Sequence, residues 1–170
     1  GGALPHKLGV TLSLAKFNRI LKIDTRARTA RVQCGVRNLA ISEAVAVHGL
    51  YYAPDPSSQI ACTIGGNVAE NSGGVHCLKH GLTVHNLLEV RVATIDGEWL
   101  TLGSTAGEAP GLALLPLFTG SEGMLGVAAC ALIAAEVAAA FALVLDGARG
   151  GLAAAALLAL YSAAIGVNLA

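Results

Sequence analysis

The chain has 170 residues, and its 11 Lys and Arg balance its 11 Asp and Glu, so the formal net charge is zero. This length is enough for one domain with a substantial core and too short for two large ones. The charge balance argues against a nucleic-acid binder and against a polybasic membrane patch, because both need a surface concentrated in Lys and Arg.

Three strands and one helix are predicted in the first fifty residues. β-branched residues and period-two alternation indicate strands over residues 9–14, 21–24 and 29–33. Apolar positions at helical spacing then predict a helix over residues 36–48, with Asn38 as its N-cap and Gly49 at its C-terminal end.

The middle of the chain predicts a loop, a short apolar run and a short helix. Two closely spaced prolines favour an extended, ordered loop over residues 51–58. Residues 60–64 are a short apolar run that stops at a glycine pair, and a short helix is predicted over residues 67–71.

A hairpin and a helix are predicted next. Asp96-Gly97 is a turn signal between strands over residues 87–95 and 98–102. A helix is predicted over residues 110–118 and a glycine-rich loop over residues 119–126. This order indicates an α+β fold with several hairpins and not a regular βαβ series.

The number and spacing of the cysteines indicate the cellular compartment of the protein. Cys34, Cys62, Cys77 and Cys130 show no CxxC spacing, which argues against a structural zinc site, and they are too sparse for a disulfide framework. We therefore predict a cytoplasmic protein, with peripheral association at the inner face of the membrane as the alternative. The chain has no initiator Met and no signal peptide, and we expect its amino end to be truncated.

Two glycine-rich segments, residues 64–74 and 119–126, are the candidates for a ligand site. Glycine lets a ligand approach the main chain closely, and successive free N–H groups form a concave anion site. Neither segment matches a Walker A motif or GxGxxG. The alternative is that the glycines only make tight turns.

Together with their neighbours these segments are more specific. The run APDPSSQIACTIGGNVAENSGG at residues 53–74 resembles the FAD-binding segment of the vanillyl-alcohol-oxidase-like flavoproteins. VHCLKHG at 75–81 and FTGSEGMLGV at 118–127 are similar to the glycolate oxidase FAD-linked subunits and their D-lactate dehydrogenase relatives. The resemblance implies an α+β, PCMH-type FAD-binding domain over residues 1–127, incomplete at its N-terminus.

The resemblance also implies FAD as the cofactor and indicates which residues contact it. Gly1 and Gly2 match the end of the loop that holds the pyrophosphate. The stretch along the diphosphate and flavin is matched by Pro56, Ser57, Ser58, Cys62, Thr63, Gly65, Gly66, Asn67, Asn71, Gly73 and Gly74. The stretch that closes over the nucleotide end is matched by Glu122, Gly123 and Val127.

The sequence departs from the family after Val127. Residues 128–170 are an Ala/Leu-rich tail, predicted to be helical, where the family continues with a strand and then a substrate-capping domain. That domain normally supplies the catalytic base and the metal-binding histidines, so we assign no catalytic residue and no metal site. Three interpretations of the tail stay open: a packed helical pair, an aberrant end of the gene, and a membrane hairpin.

The histidines near the second glycine pair could hold a metal ion or lie in a loop near the cofactor. His76, Cys77, His80 and His85 lie close in sequence, but flanking glycines argue against the helix that would join them at a metal. A loop near the cofactor is the favoured interpretation, with His76 beside the flavin as a hydrogen-bond donor or proton carrier. His80 stands where the family usually has Tyr, and Cys34 where Pro is common.

The resemblance implies the FAD-binding part of an oxidoreductase that oxidises a small 2-hydroxy acid, such as glycolate or D-lactate, by hydride transfer to the flavin. Partner oxidase subunits are expected, and nucleic acid is not. Two alternatives stay open: a truncated, non-catalytic flavoprotein fragment and a membrane-anchored subunit. Because the capping domain is not recognisable, whether this chain is itself an enzyme is left undecided.

Overall fold

The computed structural model describes residues 6–106 and 111–137. The chain divides into two compact units after Glu136, and the account below concerns the first of them. The elements of the described residues, in chain order, are β1 (Ile20–Asp24), β2 (Thr29–Gln33), α1 (Asn38–Ala46), β3 (Leu50–Tyr51), α2 (Ile64–Glu70), α3 (Cys77–His80), a 3₁₀ helix (Thr83–Asn86), β4 (Leu87–Ala93), β5 (Trp99–Gly103), α4 (Leu114–Phe118), β6 (Val127–Ala134) and β7 (Glu136–Val137), whose second residue belongs to the second unit.

Five strands form one antiparallel sheet in the order β1-β2-β6-β4-β5. β6 lies at its centre, where Ala131 is opposite Val32 of β2 on one side and Val90 of β4 on the other. The β4–β5 hairpin turns at Asp96-Gly97, and Gly97 has a φ of +81° that favours glycine. Helices and an antiparallel sheet together confirm the predicted α+β class.

The core lies between one face of this sheet and the helices. Alternate residues of β2, β4 and β6 point into it, as the two-residue period of a strand requires. Helices α1, α2 and α4 cover this face with apolar side chains. The buried residues of this core include Ala30, Val32, Ile41, Ile64, Val68, Val90, Val92, Leu115, Phe118, Ala131 and Ile133.

The prediction of a helical tail from residue 128 is wrong for residues 128–134, which lie in β6. Ala and Leu favour helices in isolation. Here both edges of the strand are paired, and Ala131 and Ile133 are completely buried in the core, so tertiary packing overrides local propensity. Residues 138–170, with most of the predicted tail, lie outside the described residues. No helix in residues 6–106 and 111–137 is long and apolar enough to cross a membrane.

The prediction of a strand over residues 9–14 is also wrong, because these residues form no regular element. A strand needs a neighbour to receive its hydrogen bonds, and within the described residues no strand pairs with this run. Its apolar side chains are largely exposed, including Val10 and Leu12.

Three predicted helices differ from the observed ones at their ends. The predicted helix over 36–48 is α1, but Asn38 is not its N-cap: Arg37 takes that position, and the buried Asn38 Nδ2 donates to the Pro54 carbonyl at 2.8 Å. The helix predicted over 67–71 is α2, which starts three residues earlier and includes the glycine pair at its beginning. The helix predicted over 110–118 is the shorter α4, and residue 110 lies outside the described residues.

The buried position of Ile133 predicts a large effect of truncation. Ile133→Ala should lower the free energy of unfolding by about 2–5 kcal/mol, since it leaves a cavity under the central strand, and Ile133→Val by about 0.5–1.5 kcal/mol. Ile95→Ala is the matched control, because Ile95 is 97% exposed, and should stay within about 0.5 kcal/mol of the parent. Urea denaturation measures all three, and equal losses at residues 95 and 133 would contradict the assignment of the core.

Candidate functional site

The two glycine-rich segments meet on helix α2. The Gly120 N–H donates to the Val68 carbonyl at 2.9 Å, and the Glu122 N–H donates to the Ala69 carbonyl at 2.8 Å. A Cβ added to Gly120 would lie 3.3 Å from the Cβ of Asn71. The loop over residues 119–123 therefore rests on the C-terminal half of α2, and the segments predicted for FAD share one surface.

The backbone amides at the start of α2 are already hydrogen-bonded within the chain. The Gly65 N–H donates to the Cys34 carbonyl at 2.8 Å, and the Gly66 N–H donates to Thr63 Oγ1 at 3.4 Å, which caps the helix. The Asn67 N–H donates to the Thr63 carbonyl at 3.0 Å. The prediction that bare amides here form an anion site is therefore wrong for these three residues, and it also fails for the amides of residues 120 and 122.

Two of the predicted glycines are required by the chain's own packing. A Cβ on Gly65 would lie 3.0 Å from both the Cβ and the carbonyl oxygen of Cys34, so glycine lets α2 approach the end of β2. A Cβ on Gly74 would lie 2.2 Å from Asp55 Oδ1 and 2.3 Å from its carbonyl oxygen. Gly123 differs, since its φ is +81° and nothing lies within 4 Å of its Cβ position.

Residues 53–74 and 118–127 contain no Lys or Arg, so these two segments can offer an anionic cofactor only neutral hydrogen-bond donors. Ser57 and Ser58 are exposed. Asn67 Nδ2 and Ser121 Oγ are buried without a hydrogen-bond partner among the described residues. An unsatisfied buried donor costs about 1–3 kcal/mol, so an additional acceptor is favourable at each. This donor set fits the polar contacts of a nucleotide cofactor.

Several other residues predicted to contact FAD make hydrogen bonds that hold these segments in place. The Pro56 carbonyl accepts from the Gln59 N–H at 2.8 Å and makes the turn that presents the two serines. The Cys62 carbonyl accepts from the Asn38 N–H at 3.0 Å. Asn71 ends α2 in the left-handed conformation, with φ of 51°, and its Oδ1 accepts from the Val84 N–H at 3.0 Å.

The remaining predicted positions are at the edges of the site. Gly73 packs against Leu82, whose Cδ2 would lie 2.5 Å from an added Cβ. Val127 begins β6 and is 36% exposed. Gly1 and Gly2 lie outside the described residues. Within residues 6–106 and 111–137, the segment along the first FAD motif and the segment over the nucleotide end are thus brought together.

Sequence reasoning missed the partner of His76. Its Nδ1 donates to Asp55 Oδ2 at 2.6 Å, and the Asp55 side chain is only 17% exposed. The two residues are 21 positions apart in a stretch without periodic pattern, so their contact left no spacing signal. In the described part of the chain no group of three His, Cys, Asp or Glu is arranged to hold a metal ion.

His80 is nearly buried beside Tyr51. Its Nε2 lies 3.0 Å from the Tyr51 hydroxyl, and its Nδ1 lies 4.0 Å from Glu136 Oε1. Burial lowers the pKa of His80; the charge of Glu136 opposes this shift. The neutral imidazole is therefore the form that the fold favours.

A cavity elsewhere in the described residues does not overlap the FAD segments. It is lined by residues of β1, β2, β4 and β6, including Lys22, Arg31 and Leu132. Its charges are paired internally, because Lys22 Nζ lies 3.3 Å from Asp24 Oδ2 and Arg31 lies 2.6 Å from Glu89 Oε1. The chemistry predicted from the sequence is therefore assigned to the α2 surface and not to this cavity.

Comparison with known families and proteins shows what the chain is similar to. The family described as "FAD binding domain" matches residues 1–103. Glycolate oxidase subunit GlcD of Escherichia coli K12 is 72% identical over 127 residues, which are 75% of this chain and 26% of that protein. Its counterpart in Bacillus subtilis strain 168 is 42% identical over 134 residues, 78% of this chain and 28% of the relative.

More distant relatives also match about three quarters of this chain and about a quarter of their own length. D-lactate dehydrogenase of Anaerostipes hadrus is 39% identical over 128 residues, 75% of this chain and 27% of that enzyme. A solved structure of alkyldihydroxyacetonephosphate synthase superposes with a TM-score of 0.64 at 27% identity, over 72% of this chain and 22% of that one. The chain thus spans about a quarter of the length of the curated relatives that it matches.

The contact between Gly74 and Asp55 predicts a steric penalty. Gly74→Ala should lower the free energy of unfolding by about 1–3 kcal/mol, since the new methyl group would overlap backbone that cannot swing aside. Gly9→Ala is the matched control: nothing lies closer than 3.4 Å to its Cβ position, and we expect a change within about 0.5 kcal/mol. Denaturant unfolding of both variants gives the answer, and a Gly74 variant as stable as the control would refute the close approach.

Burial of His80 predicts a dependence of stability on pH. Because its pKa is lowered in the folded state, the unfolded chain binds the extra proton first, and stability falls as pH drops below the ordinary histidine value. His80→Gln should flatten the melting temperature profile between about pH 5 and 7, since Gln does not titrate there. His48→Gln, at an exposed site, should keep the parent profile. Parallel profiles for parent and H80Q would count against the burial effect.

Proposed function

The chain belongs to the family of FAD-binding domains, and from this premise we propose that it is the FAD-binding part of an oxidoreductase acting on a small 2-hydroxy acid. The observation that carries the proposal is the junction of the two glycine-rich segments on α2, through the bonds from Gly120 and Glu122 to its carbonyls. Both segments carry the motifs by which the chain resembles flavoproteins, so one surface collects the residues expected to contact the cofactor.

The proposed contacts divide by chemistry. Ser57 and Ser58 present hydroxyls on an exposed turn and are suited to hydrogen-bond phosphate or ribitol oxygens. Asn67 has an amide donor that lacks a partner in the described residues, but it is only 1% exposed, so the proposal depends more on the serines. Gly123 leaves its main chain open to close approach. Since no Lys or Arg lies in these segments, the contacts that we propose for the diphosphate are neutral hydrogen-bond donors.

When bound, FAD would supply the redox chemistry, as the acceptor of a hydride equivalent from the substrate α-carbon. The residues of this chain bind and orient the cofactor, and the capped turn at Thr63 and the left-handed Asn71 hold the binding segment rigid. A rigid backbone reduces the conformational entropy lost on binding, which favours affinity.

The substrate class follows from the relatives. Glycolate and D-lactate are named in similar proteins at 72% and 39% identity, and both are small 2-hydroxy acids. The word "subunit" in the name of two relatives favours partner subunits in the intact enzyme. We place the protein in the cytoplasm, in keeping with its sparse cysteines, with peripheral membrane association as the alternative.

A truncated, non-catalytic flavoprotein fragment is the second candidate. It is favoured by the main-chain amides of residues 65–67, which are hydrogen-bonded within the chain and so do not offer the anion site predicted for the diphosphate. Such a fragment would retain part of the cofactor surface without substrate-binding groups. The two candidates differ in one measurable property, since only the first requires cofactor affinity in this polypeptide or in its assembled enzyme.

Titration with FAD tests the proposal directly. We expect the purified 170-residue chain to quench flavin fluorescence saturably and to carry the visible absorbance of oxidised flavin. The double variant Ser57→Ala, Ser58→Ala should weaken binding roughly tenfold or more, because two hydrogen bonds of about 1 kcal/mol each are lost. Ser13→Ala, an exposed serine outside both segments, is the control and should bind like the parent.

Two results would contradict the proposal. A colourless chain that does not quench added FAD would favour the non-catalytic fragment. Unchanged affinity of the serine double variant would remove Ser57 and Ser58 from the cofactor contacts while leaving the family assignment intact.

A further inference from the structure

We propose that Asp55 and His76 form a positioning pair that fixes the two ends of the first FAD-binding segment against each other, an inference that rests on the proposed FAD binding. Asp55 immediately precedes Pro56 and the exposed serines, and His76 follows Gly73 and Gly74. Nearly the whole motif therefore lies between the two members of the pair. Neither residue was among those matched to the cofactor by resemblance.

The contact between them is close and has two parts. His76 Nδ1 donates to Asp55 Oδ2 at 2.6 Å, and the His76 backbone N–H donates to Asp55 Oδ1 at 3.4 Å. The carboxylate thus accepts from both the side chain and the main chain of one residue. A hydrogen bond to a charged group contributes more to stability than one between two neutral groups.

Gly74 makes this geometry attainable. Its Cα lies so close to Asp55 that an added Cβ would overlap Asp55 Oδ1 and its carbonyl oxygen. The chain therefore passes directly over the carboxylate before His76 turns back to bond it. Any larger residue at position 74 would push the loop away and lengthen the bond from His76 to Asp55.

A second contact joins the same two stretches of chain. The Tyr51 hydroxyl lies 3.0 Å from His80 Nε2, with the two rings edge to face at 6.0 Å between centroids. Tyr51 and Asp55 belong to one stretch, and His76 and His80 to the other. Of these two contacts, the Asp55–His76 contact is the one next to Pro56 and the exposed serines.

The pair also fixes the imidazole of His76. A carboxylate oxygen accepts hydrogen bonds, so the contact with Asp55 Oδ2 assigns a proton to Nδ1. His76 is 35% exposed at its side chain, which leaves the ring at the surface of the site while Asp55 lies beneath it. Its role here is to hold the loop, and no proton transfer to the cofactor is required.

The test compares FAD affinity across variants of the full chain. His76→Gln and Asp55→Ala should each weaken FAD binding about tenfold or more, by loss of a charge-assisted bond. His76→Asn should bind within about threefold of the parent, because its amide nitrogen is two bonds from Cβ, as Nδ1 is, and can still donate to Asp55. His48→Gln is the control at an exposed histidine.

Amide hydrogen exchange provides a measurement that does not need FAD. In the chain without cofactor, H76Q should speed exchange in residues 72–77 and leave the β-sheet unchanged, whereas H76N should not. H76Q that binds FAD and exchanges like the parent would overturn the pair, as would H76N as defective as H76Q. If the parent itself does not bind FAD, the proposed function fails, and the exchange result alone decides on the pair.

Discussion

The pairing of β6 between β2 and β4 is the constraint on which the site depends. Ala131 lies opposite Val32 on one side and Val90 on the other, so this strand joins the two hairpins into one sheet. The same strand follows directly on the loop that carries Glu122 and Gly123. Because β6 is fixed at the centre of the sheet, that loop must leave α4 and cross α2, where Gly120 and Glu122 bond its carbonyls.

Glycine has a different role in this site from the one usually assigned to glycine-rich motifs. At Gly65 and Gly74 the missing side chain admits the chain's own backbone, from Cys34 and Asp55, and not a ligand. Close approach of the segments shapes the surface, and the donors that we propose for FAD are side chains and a few open main-chain positions. Close packing and the proposed cofactor contacts thus involve neighbouring residues of one motif.

The absence of Lys and Arg from both segments also has a physical consequence. A diphosphate bound through neutral donors requires several hydrogen bonds aligned together, because no single ion pair supplies the affinity. Alignment depends on the rigidity of the supporting loops. Two contacts of the described site join separate stretches of chain: Asn71 Oδ1 accepts from the Val84 N–H, and Asp55 bonds His76.

Local sequence patterns predicted several elements well. The β1–β2 hairpin, the Asp96-Gly97 turn and helix α1 were found close to their predicted positions, because each is specified by turn chemistry or periodicity within a dozen residues. The motif resemblance likewise indicated the family and the cofactor. What failed locally was the strand over residues 9–14, which finds no pairing partner in the described residues, and the helix over residues 128–134.

The sequence by itself determined the α+β class, the hairpins and the FAD motifs, since these depend on patterns among neighbouring residues. Only the tertiary structure decided that an alanine-rich run is the central strand, that the amides of residues 65–67 are already bonded, and that Asp55 reaches His76. Each of these depends on contacts between residues far apart along the chain. Hydrogen-bond partners and buried neighbours of that kind leave no periodic signal in the order of the amino acids.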